Sequence, residues 1–202
     1  LRRASALAFS IRQTKEIVGA NVLNRAFNSS YTMGANSDGV ELCSALHPNK
    51  SGGTWSNEPS TASDLNELAL EQACIDIAGY TTDRGLTIAI MPQQLLIPKN
   101  LEFEAHRILD SIGQSGNANN DINVIRSTQK FPKGIAVNHY LTDTDAWFIK
   151  TNCPDGLKYK ERRADSFGTE QDFDTENAKF KATFRGSFGW TDARCIYGSP
   201  GA

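Results

Sequence analysis

The sequence predicts an α+β fold made of one long helix, a compact mixed segment and a pair of long strands. Three observations carry this expectation. Residues 4–28, ASALAFSIRQTKEIVGANVLNRAFN, sustain a helical pattern with no proline. Residues 64–155 alternate short helical and strand-like runs punctuated by glycine and proline. Residues 178–190, AKFKATFRGSFGW, alternate polar with apolar or small side chains at a period of two.

The first helix places Leu7, Ile11, Val18 and Val22 near one face, with Ala8 and Ala26 beside them. Arg12, Gln13, Lys15 and Glu16 spread over the rest. Gly19 costs about 1 kcal/mol against alanine in such a position, so a close neighbour is expected there. At about 1.5 Å per residue the helix reaches roughly 37 Å, which suits a strut. Arg2 and Arg3 would sit at the positive end of a helix dipole, with no capping residue before them. The helix is therefore expected to begin upstream, in a processed or truncated chain.

Residues 29–63 are rich in glycine, proline, serine and asparagine, long for an internal loop, and so expected to be functional or to bind a neighbour. Trp55 in this segment has two expected roles, tucked onto the fold or anchoring a neighbouring subunit. Asp64 and Glu67 suggest a D-x-x-E cap for a helix over 64–78, whose apolar face is Leu70, Ala73, Cys74 and Ile77 and whose end is Gly79. LTIAIM (86–91) and QLLI (94–97) read as strands. Pro98 and Asn100 introduce a helix through Ile112, with Leu101, Ala105, Ile108 and Leu109 inward. GQSGNANND (113–121) has the composition of an exposed loop. INVIRS (122–127), GIAVNHYL (134–141) and AWFIKT (146–151) read as strands. Asp155 and Gly156 turn the chain into LKYKERR, and the acidic EQDFDTE (170–176) separates that strand from the last. The organisation is then 1–63, a lobe at 64–155, and return strands at 156–202.

Composition excludes several function classes. The chain has 202 residues, 39% hydrophobic and 22% charged, enough for a buried core. A formal net charge of -2 disfavours direct reading of nucleic acid, although a wall that encloses nucleic acid needs no basic excess. No apolar run approaches the roughly 20 residues of a membrane span, and no signal peptide is evident. The four cysteines, Cys43, Cys74, Cys153 and Cys195, are far apart and expected to be reduced. Cys43 and His47 have ligand-like spacing, but no second pair completes a metal site.

NHYLTDTDAWFIKT (138–151) gathers His139, Asp143 and Asp145. They form either a catalytic or metal cluster, or two strands joined by an acidic turn with Trp147 and Phe148 on opposite faces; turn chemistry is the preferred reading. Neither a phosphate-binding loop nor a G-x-S-x-G nucleophile motif occurs. No catalytic residue, metal ligand or cofactor is assigned. The basic run Lys158, Lys160, Arg162 and Arg163 is expected to meet an acidic loop containing Asp172 and Asp174 on a neighbour.

Several phrases in order, RQTKEIVGANVLNRAFN (12–28), GVELCSALHP (39–48), NDINVIRS (120–127), NHYLTDTDAWFIKT, ERRADSF (161–167) and FDTENAKFKATFRGSFGWTDARCIYGSPGA (173–202), resemble major capsid proteins of tailed bacteriophages, especially Mu-like prophage heads. The resemblance implies the tailed-phage major capsid fold, shared with encapsulin shells and the floor of herpesvirus capsids. Residues 4–28 would be its spine helix, 64–155 its axial domain, and the late strands its peripheral domain. The loop carrying Gly113, Gly116, Asn117, Asn119 and Asn120 would lie near the capsomer axis. The N-terminal arm and most of the extended loop would precede residue 1. The implied function is self-assembly into hexamers and pentamers of an icosahedral shell around double-stranded DNA. The shell would be part of a virion assembled in the host cytoplasm and matured from a procapsid, with room for portal, scaffold or decoration partners. An encapsulin-like compartment shares the fold, and a hydrolase using His139, Asp143 and Asp145 is the rival from another class.

Overall fold

The computed structural model describes residues 2–34, 37–114, 121–171 and 178–202, with side chains from Ser5 onward. In chain order the elements are α1 (Arg2–Asn24), β1 (His47–Pro48), β2 (Thr54–Trp55), α2 (Glu67–Ala78), β3 (Pro92–Pro98), α3 (Glu102–Asp110), α4 (Val124–Ser127), β4 (Ile135–Asn138), β5 (Trp147–Thr151), β6 (Leu157–Gln171), β7 (Ala178–Trp190) and β8 (Ile196–Ser199). The mixed helix and strand content fits the α+β expectation.

A four-stranded sheet in the order β4-β3-β5-β8 divides two apolar clusters. β3 and β4 run parallel, and the other neighbours antiparallel. Alternation along each strand sorts the side chains. Leu95, Ile97, Trp147, Ile149 and Tyr197 enter one cluster with Leu70, Ala73 and Ile77 of α2, Ala105 of α3 and Ile125 of α4. Leu96, Phe148 and Ile196 enter the other with Val22, Leu23, Ala26, Leu42 and Trp190. Trp147 and Phe148 thus take opposite faces, as their adjacency in a strand requires. β8 completes a sheet whose other strands all lie between residues 92 and 151, so the end of the chain closes the middle lobe.

Several elements differ from their sequence expectation, each for a local reason. α1 ends at Asn24 and not at residue 28, because Asn24 turns outward: its amide donates to Tyr140 O (3.1 Å) and its Oδ1 accepts from Thr142 N (3.0 Å). Its buried stripe is Ile11, Ala20, Val22 and Leu23, while Val18 is 43% exposed. Asn66, not Asp64, caps α2 by accepting from Ala69 N at 2.8 Å; Asp64 instead accepts from Ala202 N at 3.0 Å. Residues 86–91 form no strand beyond the single bridge of Thr87 to Thr81, since β3 already has a neighbour on each side. INVIRS is not a strand: Asn123 accepts from Arg126 N and starts the short helix α4. The Asp143 segment is not a hairpin tip either. β4 and β5 flank β3, so this connection crosses an end of the sheet, and Asp143 Oδ1 holds it by accepting from Asp145 N (3.1 Å) and Ala146 N (3.4 Å).

β6 and β7 pair only with each other, from Leu157↔Trp190 to Gln171↔Ala178. α1 lies against β7. The close neighbour expected at Gly19 is Phe188: a Cβ on Gly19 would stand 3.2 Å from its ring.

Candidate functional site

Most residues of the long ribbon are exposed, above all along β6. Its root is fastened to α1 and to the second apolar cluster. Tyr159 stacks on Phe188 at 4.6 Å, Lys15 pairs with Asp165 at 2.5 Å, and the Lys15 ammonium sits 5.1 Å above the Phe184 ring. Register shifts between Glu161 and Arg163, and between Arg163 and Ser166, add local twist.

The register sorts the ribbon into two chemically different faces. Tyr159, Phe188, Phe184, Phe167 and Phe180 share one. Phe167 lies opposite Ala182 and Phe180 opposite Thr169, so these rings are diagonal neighbours, 57% and 42% exposed. The other face carries Lys158 and Lys160 beside Ser187, Arg163 directly opposite Arg185, and Lys181 opposite Gly168. Lys158 pairs with Asp155, and the lysine holds that carboxyl below its usual range. Among the described residues, Lys160, Arg162, Arg163, Lys181 and Arg185 form no ion pair. Like charges directly opposite one another destabilise a ladder, and among the described residues no ion pair relieves them.

The basic run of the sequence is therefore half of the feature. β7 brings Lys181 and Arg185 to the same face, and the signal for this was the period-two alternation of residues 179–187. Asp172 and Asp174, the expected acidic counterparts, lie outside the described residues, as do Gly116, Asn117, Asn119 and Asn120. Gly113 is described: it bridges to Ile122 and closes the base of its loop.

Trp55 is held inside the chain. Its ring stacks on His47 (4.5 Å), meets Tyr80 edge-on (5.3 Å) and lies under the Arg194 guanidinium (4.4 Å). Arg194 is fixed in turn by Thr81 O (2.8 Å), Asp83 (3.0 Å) and Asp192 (3.3 Å). His47 and Cys43 do not converge on a metal. His47 faces Asp38 Oδ2 (2.6 Å) and Asn57 Oδ1 (3.0 Å), while Cys43 is packed in the second apolar cluster. His139 sits in the turn after β4 and has no hydrogen bond to Asp143 or Asp145. Among the described residues, no three His, Cys, Asp or Glu side chains are grouped to hold a metal ion, and no helix is long and apolar enough to cross a membrane.

A scan against protein families matches residues 1–199 to a family described as phage capsid protein. The chain belongs to that family. The match spans the long helix, the sheet and the ribbon together, and it marks this capsid-family chain as structural rather than enzymatic. No curated protein matches it. Among solved structures it is similar to a chain of a virus-like particle from Pyrococcus furiosus, with 14% identity and a TM-score of 0.45 over 70% of this chain. The capsid-family chain spans 55% of that particle chain.

Proposed function

We propose that this chain is the major subunit of an icosahedral shell, built from hexamers and pentamers of one protein, that encloses double-stranded DNA without sequence-specific contacts. The ribbon is the observation that carries the reading beyond family membership. An isolated two-stranded ribbon is marginally stable in water. This one pairs 15 residues of β6 with 13 of β7 and leaves aromatic rings and unpaired cations exposed. Such a surface is suited to neighbours in a lattice, where many modest contacts act together.

In this reading α1 is the spine, α1 and the ribbon form the peripheral domain, and the lobe around β4-β3-β5-β8 is the axial domain. Residues 113–121 approach the capsomer axis. Lys158, Lys160, Arg162 and Arg163 join the subunit interface, together with Asp172 and Asp174 of a neighbour. Trp55 joins it as well. The Mu-like branch, assembly in the host cytoplasm, procapsid maturation and docking of portal, scaffold or decoration proteins belong to the same proposal.

Electron microscopy of the purified protein tests it. Closed particles are expected, and nuclease-protected double-stranded DNA inside them separates a genome shell from an encapsulin-like compartment. The triple variant Lys160→Glu, Arg163→Glu, Arg185→Glu should lose most of the particle yield while its far-ultraviolet circular dichroism stays that of the parent. Undiminished yield removes the ribbon from the interface.

A further inference from the structure

α1 lies on one face of the ribbon and leaves the other open. Gly19 meets the Phe188 ring and Lys15 lies over Phe184, both on the aromatic face. On the open face Lys160, Arg163, Lys181 and Arg185 are exposed, and none has an ion pair among the described residues. Lys160 is opposite Ser187, Arg163 opposite Arg185, Ser166 opposite Thr183 and Gly168 opposite Lys181, so these opposed pairs contain no hydrophobic residue. The hydroxyls of Ser166 and Thr183 meet at 2.8 Å. Glu170, opposite Lys179, is the one carboxylate among the paired residues of this face. Where the register shifts, the ribbon holds a hollow of about 410 Å³ lined by Lys160, Glu161, Arg162, Arg185, Gly186 and Ser187. Three cations there outnumber a single carboxylate, that of Glu161.

This composition fits phosphate better than it fits the core of a protein interface. Such cores are apolar and poor in lysine. A nucleic-acid backbone is held by Arg, Lys, Ser and Thr, without any reading of bases. We propose that the open face of the ribbon binds the phosphate backbone of double-stranded nucleic acid, with Lys160, Arg162 and Arg185 at the hollow and Arg163 and Lys181 flanking it. An anion lying across Arg163 and Arg185 relieves the like-charge pair that the free ribbon carries. A chain of net charge -2 needs its cations gathered on one face to make such a contact, and the register gathers them. The inference rests on the shell reading and gives the enclosed DNA its point of contact. In that reading Asp172 and Asp174 of a neighbour bring two charges to this side of the ribbon, against five cations, so Lys181 and Arg185 stay available to phosphate.

The test is fluorescence anisotropy with the full chain, isolated as unassembled subunits, and two short labelled duplexes of unrelated sequence. Both duplexes should bind equally, and the logarithm of the affinity should fall linearly with the logarithm of the salt concentration. Lys181→Gln combined with Arg185→Gln should weaken binding at least about tenfold near about 0.1 M salt and flatten that slope by about 2. Lys181→Arg combined with Arg185→Lys should bind as the parent does, since a phosphate accepts from either cation. A marked preference for one sequence, an unchanged slope in the glutamine pair, or no binding of either duplex overturns the proposal. So does poly-glutamate that binds the parent as tightly as the duplexes, which would assign the face to an acidic protein surface. Particle formation by the parent is read separately by microscopy: duplex binding without particles rejects the shell reading alone, and particles whose subunits bind no duplex reject this contact alone.

Discussion

Asn57 Oδ1 lies 3.0 Å from His47 Nε2, and both side chains are fully buried. The amide cannot be reversed at this site. Its Nδ2 faces Leu42 O (2.7 Å), Ile196 O (3.0 Å) and Ala193 O (3.2 Å), and its Oδ1 also accepts from Ser44 N (2.8 Å). With Asp38 on the other side of the ring, both imidazole nitrogens face side-chain oxygens. One side chain thereby ties the early loop to the segment entering β8.

Asn57→Ala should cost about 3 kcal/mol or more, because it leaves the Ser44 N–H and several carbonyls buried without partners. Urea unfolding with an unchanged m-value reads the loss directly. A loss below about 1 kcal/mol would mean that the freed groups find other partners.

Gly156 is a second point where sequence order does not announce the constraint. A Cβ there would stand 2.1 Å from Cys195 Cβ and 2.7 Å from its Sγ, and Gly156 O also accepts from Thr191 N at 3.0 Å. The neighbouring atoms are anchored near the backbone and cannot swing away. Gly156→Ala should destabilise by about 1–3 kcal/mol through overpacking. A melting temperature equal to the parent's would contradict this close approach.

These two sites show where sequence reading stops. Period-two alternation made β7 legible, and short apolar runs marked β3 and β5, where adjacent residues part to opposite faces: Leu95 and Leu96 enter opposite clusters as Trp147 and Phe148 do. Long-range choices were not local. Whether 86–91 becomes a strand depends on whether β3 has a free edge. Whether INVIRS becomes a helix depends on Asn123, whose amide is held by Ile108 O and Ser111 Oγ. The basic run on β6 was readable, but its alliance with Lys181 and Arg185 required the register.

Glu58 offers a prediction with a definite sign. Burial is the main cause that raises its carboxyl above the usual carboxylate range. Glu41 adds to the shift, while the Ala45 N–H it accepts and nearby His47 oppose it. The folded state therefore binds the proton more tightly than the unfolded chain does. Stability rises as pH falls through the folded value, and above that value the buried charge is a constant cost. Glu58→Gln should be more stable than the parent at pH 7, by less than about 1 kcal/mol because the group is only partly buried. The gap should close as the medium is acidified into the carboxylate range. A gap that widens on acidification would instead place the charge in a favourable setting.

The four thiols give the last prediction. Burial is the leading cause in each case: it lifts Cys74 to about 11 and Cys195 to about 12, raises Cys43 well above its ordinary value, and, with Asp192 adding to it, brings Cys153 to about 11. The thiolate is the reactive form, so at pH 8 a group titrating near 11 is ionised in roughly one molecule in a thousand. Iodoacetamide should therefore label the folded protein slowly at all four positions, with the half-buried Cys74 and Cys153 ahead of Cys43 and Cys195. In denaturant all four should react at the rate of free cysteine. Because Cys43 and Cys195 sit in the cluster that joins α1 to β8, their labelling rate in native buffer should track global opening and speed up in Asn57→Ala by the factor its lost stability predicts. Rapid labelling of Cys43 in the intact fold would show that this cluster opens on its own, ahead of the sheet it packs against.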